Sequence, residues 1–326
     1  MATRAKTVRR THAAAGAKRL ASGPIPRRAL GTTGETVSAI GLGGYHLGLI
    51  GTERECTRIV HASIDAGITF LDNAWEYHDG KSEERVGKAI ADRRDEVFLM
   101  SKVCTHGRDA TVAMRQLHDS LRRLKTDHLD LWQVHEVAFY NDPERHFMKG
   151  GVIEALDRAK REGNVRFVGF TGHKDPALHL RMLSYGYAFD TVQMPLNCCD
   201  ATFRSFEQHV LPELIARGIA PIGMKSLGGE GDMVKKKAVT AQEALAYAMS
   251  LPVATTVSGI DSMRVLNQNL GVARGFTPLD AESMKAMRAR VAEAAADGRF
   301  ELYKTTAKHE ANVGRKEHGF PPQGEA

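Results

Sequence analysis

Gly67-Ile68-Thr69-Phe70-Leu71-Asp72-Asn73-Ala74-Trp75-Glu76-Tyr77 is the stretch on which the reading of this chain turns. Within it, Thr69–Asn73 is a short apolar run that ends on a carboxylate, the pattern of a buried strand whose last residues reach an edge. Beyond it, Glu83–Arg93 repeats apolar residues at three- and four-residue spacing, as an amphipathic helix does. Val97–Lys102 is the next apolar run. Strand, helix and strand in that order predict a parallel pair with the helix packed over it.

The alternation extends both ways. Val37–Gly43 precedes the quoted stretch; Leu129–His135, Arg166–Phe170, Thr191–Met194, Ala220–Met224 and Ala254–Ser258 follow it as strands. Helical spacing recurs over Arg54–Ala66, Ala110–Leu124, Gly151–Glu162 and Ala241–Met249. Pro176 and Pro212 stand where a first helical turn accepts them. Eight such units predict an α/β fold, a closed (β/α)8 TIM barrel. The competing open, doubly wound sheet carries G-x-G-x-x-G after its first strand, whereas this chain has Gly41-Leu42-Gly43-Gly44. Arg28–Glu35 reads as an N-terminal hairpin turning at Gly34, and a helical extension rich in Ala, Met and Arg follows Pro278. The expected organisation is a basic, disordered arm over 1–26, a barrel over 27–300 and a polar tail over 301–326.

Composition narrows the function classes. The chain has 326 residues, 42% of them apolar, enough for one large core. Its net charge is +6, but eight Lys or Arg and no acid fall within residues 1–28, so the rest is slightly acidic. The basic character therefore belongs to the arm, and no nucleic-acid-binding face is expected on the body. Arg9-Arg10 has a faint likeness to a twin-arginine signal, yet His12, Lys18 and Arg19 interrupt the segment behind it. A cytoplasmic location is expected, with no membrane partner, since no run approaches the ~20 apolar residues of a spanning helix. Cys56, Cys104, Cys198 and Cys199 lack metal-binding spacing and read as small buried thiols, so no metal is expected. The sequence carries no signal of oligomeric state.

Chemistry in such barrels gathers at the C-terminal ends of the strands. Asp72, Lys102 and His135 end three successive predicted strands, and Tyr77 follows Asp72 by a short loop. Singly, Asp72 also suits a helix cap, Lys102 a surface lysine, His135 a core histidine and Tyr77 an exposed loop. Together they suit carbonyl reduction. A carbonyl that accepts hydride needs a proton at its oxygen, and Tyr77 is the donor. The Lys102 ammonium is expected to lower the tyrosine pKa, and Asp72 to pair the lysine. His135 is expected to donate a hydrogen bond that orients the substrate oxygen.

The quoted stretch, with Gly80-Lys81-Ser82-Glu83 and Val86-Gly87, closely resembles the signature of the aldo-keto reductases, and the likeness runs from about Arg27 to Gly275. The resemblance implies an NAD(P)H-dependent oxidoreductase with Asp72, Tyr77, Lys102 and His135 as its catalytic set. It implies a nicotinamide cofactor laid across the barrel mouth. Gly43, Gly44, Tyr45 and Asp72 would lie near the nicotinamide end, and Thr171, Gly172 and Gln193 near its carboxamide. Two departures from the family pattern stand out: Thr171-Gly172 replaces Ser-Asn, and Met224 occupies a place often aromatic. Lys225, Ser226, Leu227 and Gly228 follow that methionine. For the adenosine end the resemblance points to Gly259, Asp261, Arg264, Gln268 and Asn269. Asp261 would repel a 2′-phosphate where Arg264 would grip one, which leaves NADP(H) and NAD(H) both open.

Tyr45, His46, Trp75, His106, Phe139 and Tyr140 follow predicted strands and are expected to line an aromatic pocket for a small carbonyl or alcohol. His173 reads as a solvated loop residue. The sequence names no particular substrate. Two other readings compete with the reductase: a cofactor-binding regulatory or redox-sensing subunit, and a lyase or isomerase using Lys102 as a Schiff base.

Overall fold

Strands buried on both faces are mainly apolar, and all six residues of β5 (Phe98–Val103) are buried, Ser101 and Lys102 toward its mouth end included. The same holds for β4 (Phe70–Asp72), β6 (Leu129–Val134) and β8 (Thr191–Pro195). These strands, with β3 (Ile40–Gly43), β7 (Val165–Thr171), β9 (Ala220–Met224) and β10 (Thr255–Gly259), close in the order β10-β3-β4-β5-β6-β7-β8-β9. Every neighbouring pair is parallel. The computed structural model describes residues 22–104, 109–307, 309–310, 312–317 and 321–323. The expected basic arm thus falls almost wholly outside the described residues, as does His106.

One main helix follows each barrel strand: α1 (Glu53–Asp65), α2 (Lys81–Ala89), α3 (Ala110–Leu124), α4 (Val152–Arg161), α5 (Pro176–Ser184), α6 (Leu211–Arg217), α7 (Ala241–Ser250) and α8 (Met263–Ala273). Their starts follow local chemistry. Asp109 accepts from Thr111 and Val112 N–H to cap α3, and Thr240 with Glu243 forms a capping box on α7. The expected (β/α)8 barrel is the observed fold, with its N-terminal hairpin and C-terminal helices.

The run Val37–Gly43, read as one strand, is two. β2 (Thr36–Ser38) pairs antiparallel with β1 (Arg27–Ala29), while β3 joins the barrel. Ser38 makes the break: its hydroxyl donates to the Ile40 carbonyl at 2.7 Å and accepts from Thr69 N–H at 2.9 Å. The hairpin turn sits at Gly34, whose φ of +83° suits glycine. Leu30 and Val37 then plug the N-terminal end of the barrel against Phe70, Phe98, Leu131 and Ile222. With that end filled, the opposite mouth is the face left for ligands.

Past α9 (Ala281–Ala295) the chain returns to the mouth through α10 (Leu302–Thr305). Polar composition marked this segment as tail, yet Glu301, Tyr303 and Lys304 are fully buried. Asn197, just after β8, donates to Glu301 at 2.9 Å, and Lys304 Nζ donates to Asp200 at 2.6 Å and Glu301 at 2.8 Å. All four cysteines are buried, and none of them forms a disulfide among the described residues. Among the described residues no helix is long and apolar enough to cross a membrane.

Candidate active site

Parallel register sets the site. Asp72 lies opposite Gly43 at the end of β4, and Lys102 lies opposite Gln133 near the end of β5. His135 comes directly after β6, its N–H bonded to the Val103 carbonyl at 2.9 Å. Three strand ends thus deliver an acid, a base and an imidazole to one arc of the mouth. Lys102 Nζ forms an ion pair with Asp72 Oδ1, donates to the Asn73 carbonyl at 2.8 Å and stands 3.5 Å from the Tyr77 hydroxyl. Gln193 Nε2, from β8 across the barrel, donates to Asp72 Oδ2 at 2.6 Å. The Tyr77 ring meets His135 edge-on at 5.6 Å and Tyr45 edge-on at 5.4 Å. The four residues expected to act together are together.

The loop that brings Tyr77 over Lys102 is held from below. Trp75 N–H donates to the Lys102 carbonyl at 3.1 Å, and Arg123 donates to the Trp75 carbonyl at 2.9 Å. Buried Glu83 accepts from Ser101 at 2.6 Å and Arg123 at 3.1 Å, and the Ser82 hydroxyl donates to the Gly44 carbonyl at 2.6 Å. Gly44 has to be glycine, because a Cβ there would lie 2.5 Å from the Asp72 carbonyl oxygen. The Ser82-Glu83 part of the signature therefore builds the frame around the site rather than its chemistry.

Electrostatics correct one expectation. Burial pushes the Tyr77 phenol well above its usual range, and the Asp72, Glu76 and Glu136 carboxylates push the same way. Lys102 does not reverse this, so the phenol keeps its proton at neutral pH. Glu76 moves in the other direction. Burial raises its carboxyl, but the charge and hydrogen bond of His135 more than offset this and hold it below the usual range.

The aromatic pocket does not assemble as expected. Trp75 turns toward α3, where its indole N–H reaches Asp119 at 3.4 Å and the Arg123 guanidinium covers its ring. Tyr140 is 79% exposed beneath the Arg181 guanidinium, 4.4 Å from its ring centroid. Phe139 is half-buried, its N–H bonded to Asp142. Tyr45 remains at the mouth, 50% exposed, and His46 packs on Gly259. Groups that sequence reasoning missed stand nearer the centre. Glu76 bonds His135, and His173, only 5% exposed, lies with its Nε2 3.6 Å from Glu136. Burial holds His173 well below the usual histidine range, with the Lys225 ammonium acting the same way, so it is no solvated loop residue. The available signals were an acid directly before Tyr77 and an imidazole two residues past the end of β7.

On the cofactor side, Gly43 ends β3, buried Thr171 ends β7, and Gly172 N–H bonds the Gln193 carbonyl at 3.3 Å. Met224 and Lys225 are half-buried, with the Lys225 ammonium 5.2 Å from the Tyr303 ring centroid. Ser226 and Gly228 are buried and Leu227 is half-buried. Around β10 and α8, Asp261 and Arg264 are exposed, Gln268 is half-buried, and buried Asn269 donates to the Ser258 hydroxyl at 3.0 Å. Ser262 caps α8 through Val265 N–H.

The model of the Aldo/keto reductase family matches residues 39–240. A 6-dehydroglucose reductase of Novosphingobium aromaticivorans is 30% identical over 223 residues, covering 63% of this chain and 71% of that protein. The chain spans about half the length of other curated relatives it matches, 48% of one and 55% of another. Among solved structures, the holo form of an aldo-keto reductase from Bacillus halodurans has a TM-score of 0.70 at 25% identity, covering 85% of this chain and 99% of that one. An aldo-keto reductase from Klebsiella pneumoniae in complex with NADPH has a TM-score of 0.67 at 25% identity, covering 82% and 95%.

Proposed function

The chain belongs to the aldo/keto reductase family, an NAD(P)H-dependent group of enzymes, and on that premise we propose that it reduces an aldehyde or ketone to the alcohol, with Tyr77 giving the proton. The observation that carries the proposal is the line from Tyr77 hydroxyl to Lys102 ammonium to Asp72 carboxylate, tied off by Gln193. The phenol waits protonated, as a donor must. When it gives its proton to the carbonyl oxygen it becomes a phenolate beside Lys102 Nζ, and the ammonium stabilises that charge where it forms. Asp72 keeps the ammonium from being an uncompensated buried cation. The likeness to a relative named for reducing 6-dehydroglucose supports the same direction of reaction.

NADP(H) is the cofactor proposed, following the relative solved with NADPH. When bound, it supplies the hydride. The residues suit it: Gln193 Oε1 is buried without a hydrogen-bond partner among the described residues, an acceptor of the kind a carboxamide N–H requires. Thr171 and Gln193 would hold that amide. Ser226, Leu227 and Gly228 would face the phosphates, and Arg264 and Gln268 the adenosine end.

The test is oxidation of NADPH, with NADH alongside, against a panel of aldehydes and ketones. Tyr77→Phe is expected to lower turnover by about 10²- to 10⁴-fold, the range of a lost positioned acid, with cofactor affinity unchanged. Equal turnover removes Tyr77 from the role. Tight cofactor binding with no carbonyl reduced by the wild type overturns the reductase reading.

A further inference from the structure

The end of β10 has a basic side chain on either side of it, and the reaction above uses neither. Barrel order puts β9 on one side of β10 and β3 on the other. Lys225 comes directly after β9, and His46 follows the end of β3 by three residues. The His46 ring lies against the backbone of Gly259, the last residue of β10, where a Cβ would fall 2.2 Å from Nδ1. Half-buried His46 makes no hydrogen bond or ion pair among the described residues, and its ring meets Tyr45 edge-on at 5.8 Å. The Lys225 ammonium also forms no ion pair among the described residues; the Tyr303 ring is its neighbour. Glu136, Glu230 and Asp72 act on it only from a distance, and Lys102 opposes them. A cation withdrawn from water without a counter-ion is costly, and so is a lysine backbone at φ +55°. Helix α8 starts just beyond Gly259, and a helix start favours phosphate oxygens.

We infer that the diphosphate of the dinucleotide binds between His46 and Lys225, and that His46 takes up a proton when it does. This rests on the reading of the chain as a dinucleotide-dependent reductase. It also moves His46 from the substrate pocket, where the sequence put it, to the cofactor. Burial holds His46 below its ordinary value of 6.5; the Asp261 carboxylate acts against this, and Lys225 and His78 act with it. Near neutral pH the imidazole by itself is therefore mostly uncharged. Negative charge on an adjacent phosphate favours the imidazolium. The proton comes from solvent to a ring nitrogen, and the imidazolium then donates to a phosphate oxygen. The sign follows. The contribution of His46 to binding is complete at low pH and is lost as pH rises through the higher value it has beside the diphosphate.

The experiment is calorimetry of NADH and NADPH binding to the full chain, in two buffers of different ionisation enthalpy, which counts the protons taken up. NADH is the cleaner ligand, because it has no phosphate monoester to titrate in the same range. Wild type is expected to take up part of a proton per NADH at about pH 6.5 and none at about pH 9. His46→Gln should take up none at either. Between about pH 8.5 and 6, Kd should tighten by roughly tenfold more in wild type than in His46→Gln, the equivalent of one pKa unit. Lys225→Met should weaken both dinucleotides by about 10- to 100-fold. Equal proton uptake by wild type and His46→Gln overturns the inference, as does Lys225→Met binding both dinucleotides as tightly as wild type. A loss confined to NADPH also overturns it, because the 2′-phosphate would then be the partner. The wild-type count needs no variant, so it decides the question even if a substituted chain fails to fold. If wild type binds neither dinucleotide, the reductase reading itself fails; if it binds them without taking up a proton, only this inference does.

Discussion

Two arcs of the barrel mouth bury charge in opposite ways. Where the turn after β8 meets α10, the buried polar side chains satisfy one another. Lys304 Nζ donates to Asp200, Glu301 and the Phe203 carbonyl, and Asp200 accepts besides from Ser205, Phe206 and Glu207. Asn197 donates to Glu301 and Tyr303 and accepts from the Cys199 and Asp200 N–H groups. Around Asp72 and Lys102, at the ends of β4 and β5, atoms are left unfilled: Glu76 Oε2, Asn73 Nδ2 and, from β8 across the barrel, Gln193 Oε1 have no partner among the described residues. Buried polar groups are costly unless paired, so a completed network is a fastener and an incomplete one awaits a ligand. Both arcs hold a buried lysine between carboxylate and carbonyl acceptors. What distinguishes them is the unused capacity around that lysine.

The contrast breaks most directly at the two lysines. Lys102→Met removes the cation beside the Tyr77 hydroxyl and is expected to lower carbonyl turnover by about 10²- to 10⁴-fold, measured as NADPH oxidation at saturating substrate. Lys304→Met leaves Asp200 and Glu301 buried without their cation and should cost about 3–5 kcal/mol of stability, read from denaturant unfolding. The folded fraction of that variant should keep its kcat. If Lys304→Met abolishes turnover without destabilising the chain, the filled arc belongs to the chemistry and the distinction between the arcs falls.

Legibility in sequence follows the same division. Strand-end residues are set by a local apolar run and its period, which is why Asp72, Lys102 and His135 could be placed on neighbouring strands. Helix α3 was readable to the residue, because Asp109 caps it and its apolar spacing is regular. Contacts made by loops were not readable. Trp75 and Tyr140 follow strands as pocket residues would, but Asp119 with Arg123, and Arg181, turn them outward. The Lys304–Asp200 pair joins residues 104 apart, and a polar composition hides a buried segment when its polar groups satisfy one another. Ser38 split one apolar run between two sheets through a single hydroxyl. The lowered tyrosine pKa expected from Lys102 failed because burial and three carboxylates act on the phenol as well, and those became visible only with the chain folded.

The smallest expected effect probes what lies between the arcs. His179 on α5 is fully buried against Phe170 and Phe206, beneath Gly172 and the end of β7. Burial lowers its pKa to about 4, backbone hydrogen bonds at Gln193 and Asp175 acting only weakly against it. The folded chain therefore holds His179 neutral where the unfolded chain, with the ordinary value of 6.5, takes up a proton. The sign follows: this group's contribution is complete above about pH 6.5 and is lost as pH falls toward 4. A difference of that size corresponds to roughly 3 kcal/mol across the window. His179→Gln removes the titration, so its unfolding free energy should vary less between pH 7 and pH 4 than that of the wild type. Because Gln burial has its own cost, the comparison is of slopes with pH, not of absolute stability. An unchanged slope would mean that α5 opens in acid before the barrel does, and that the floor shared by the two arcs is looser than its packing indicates.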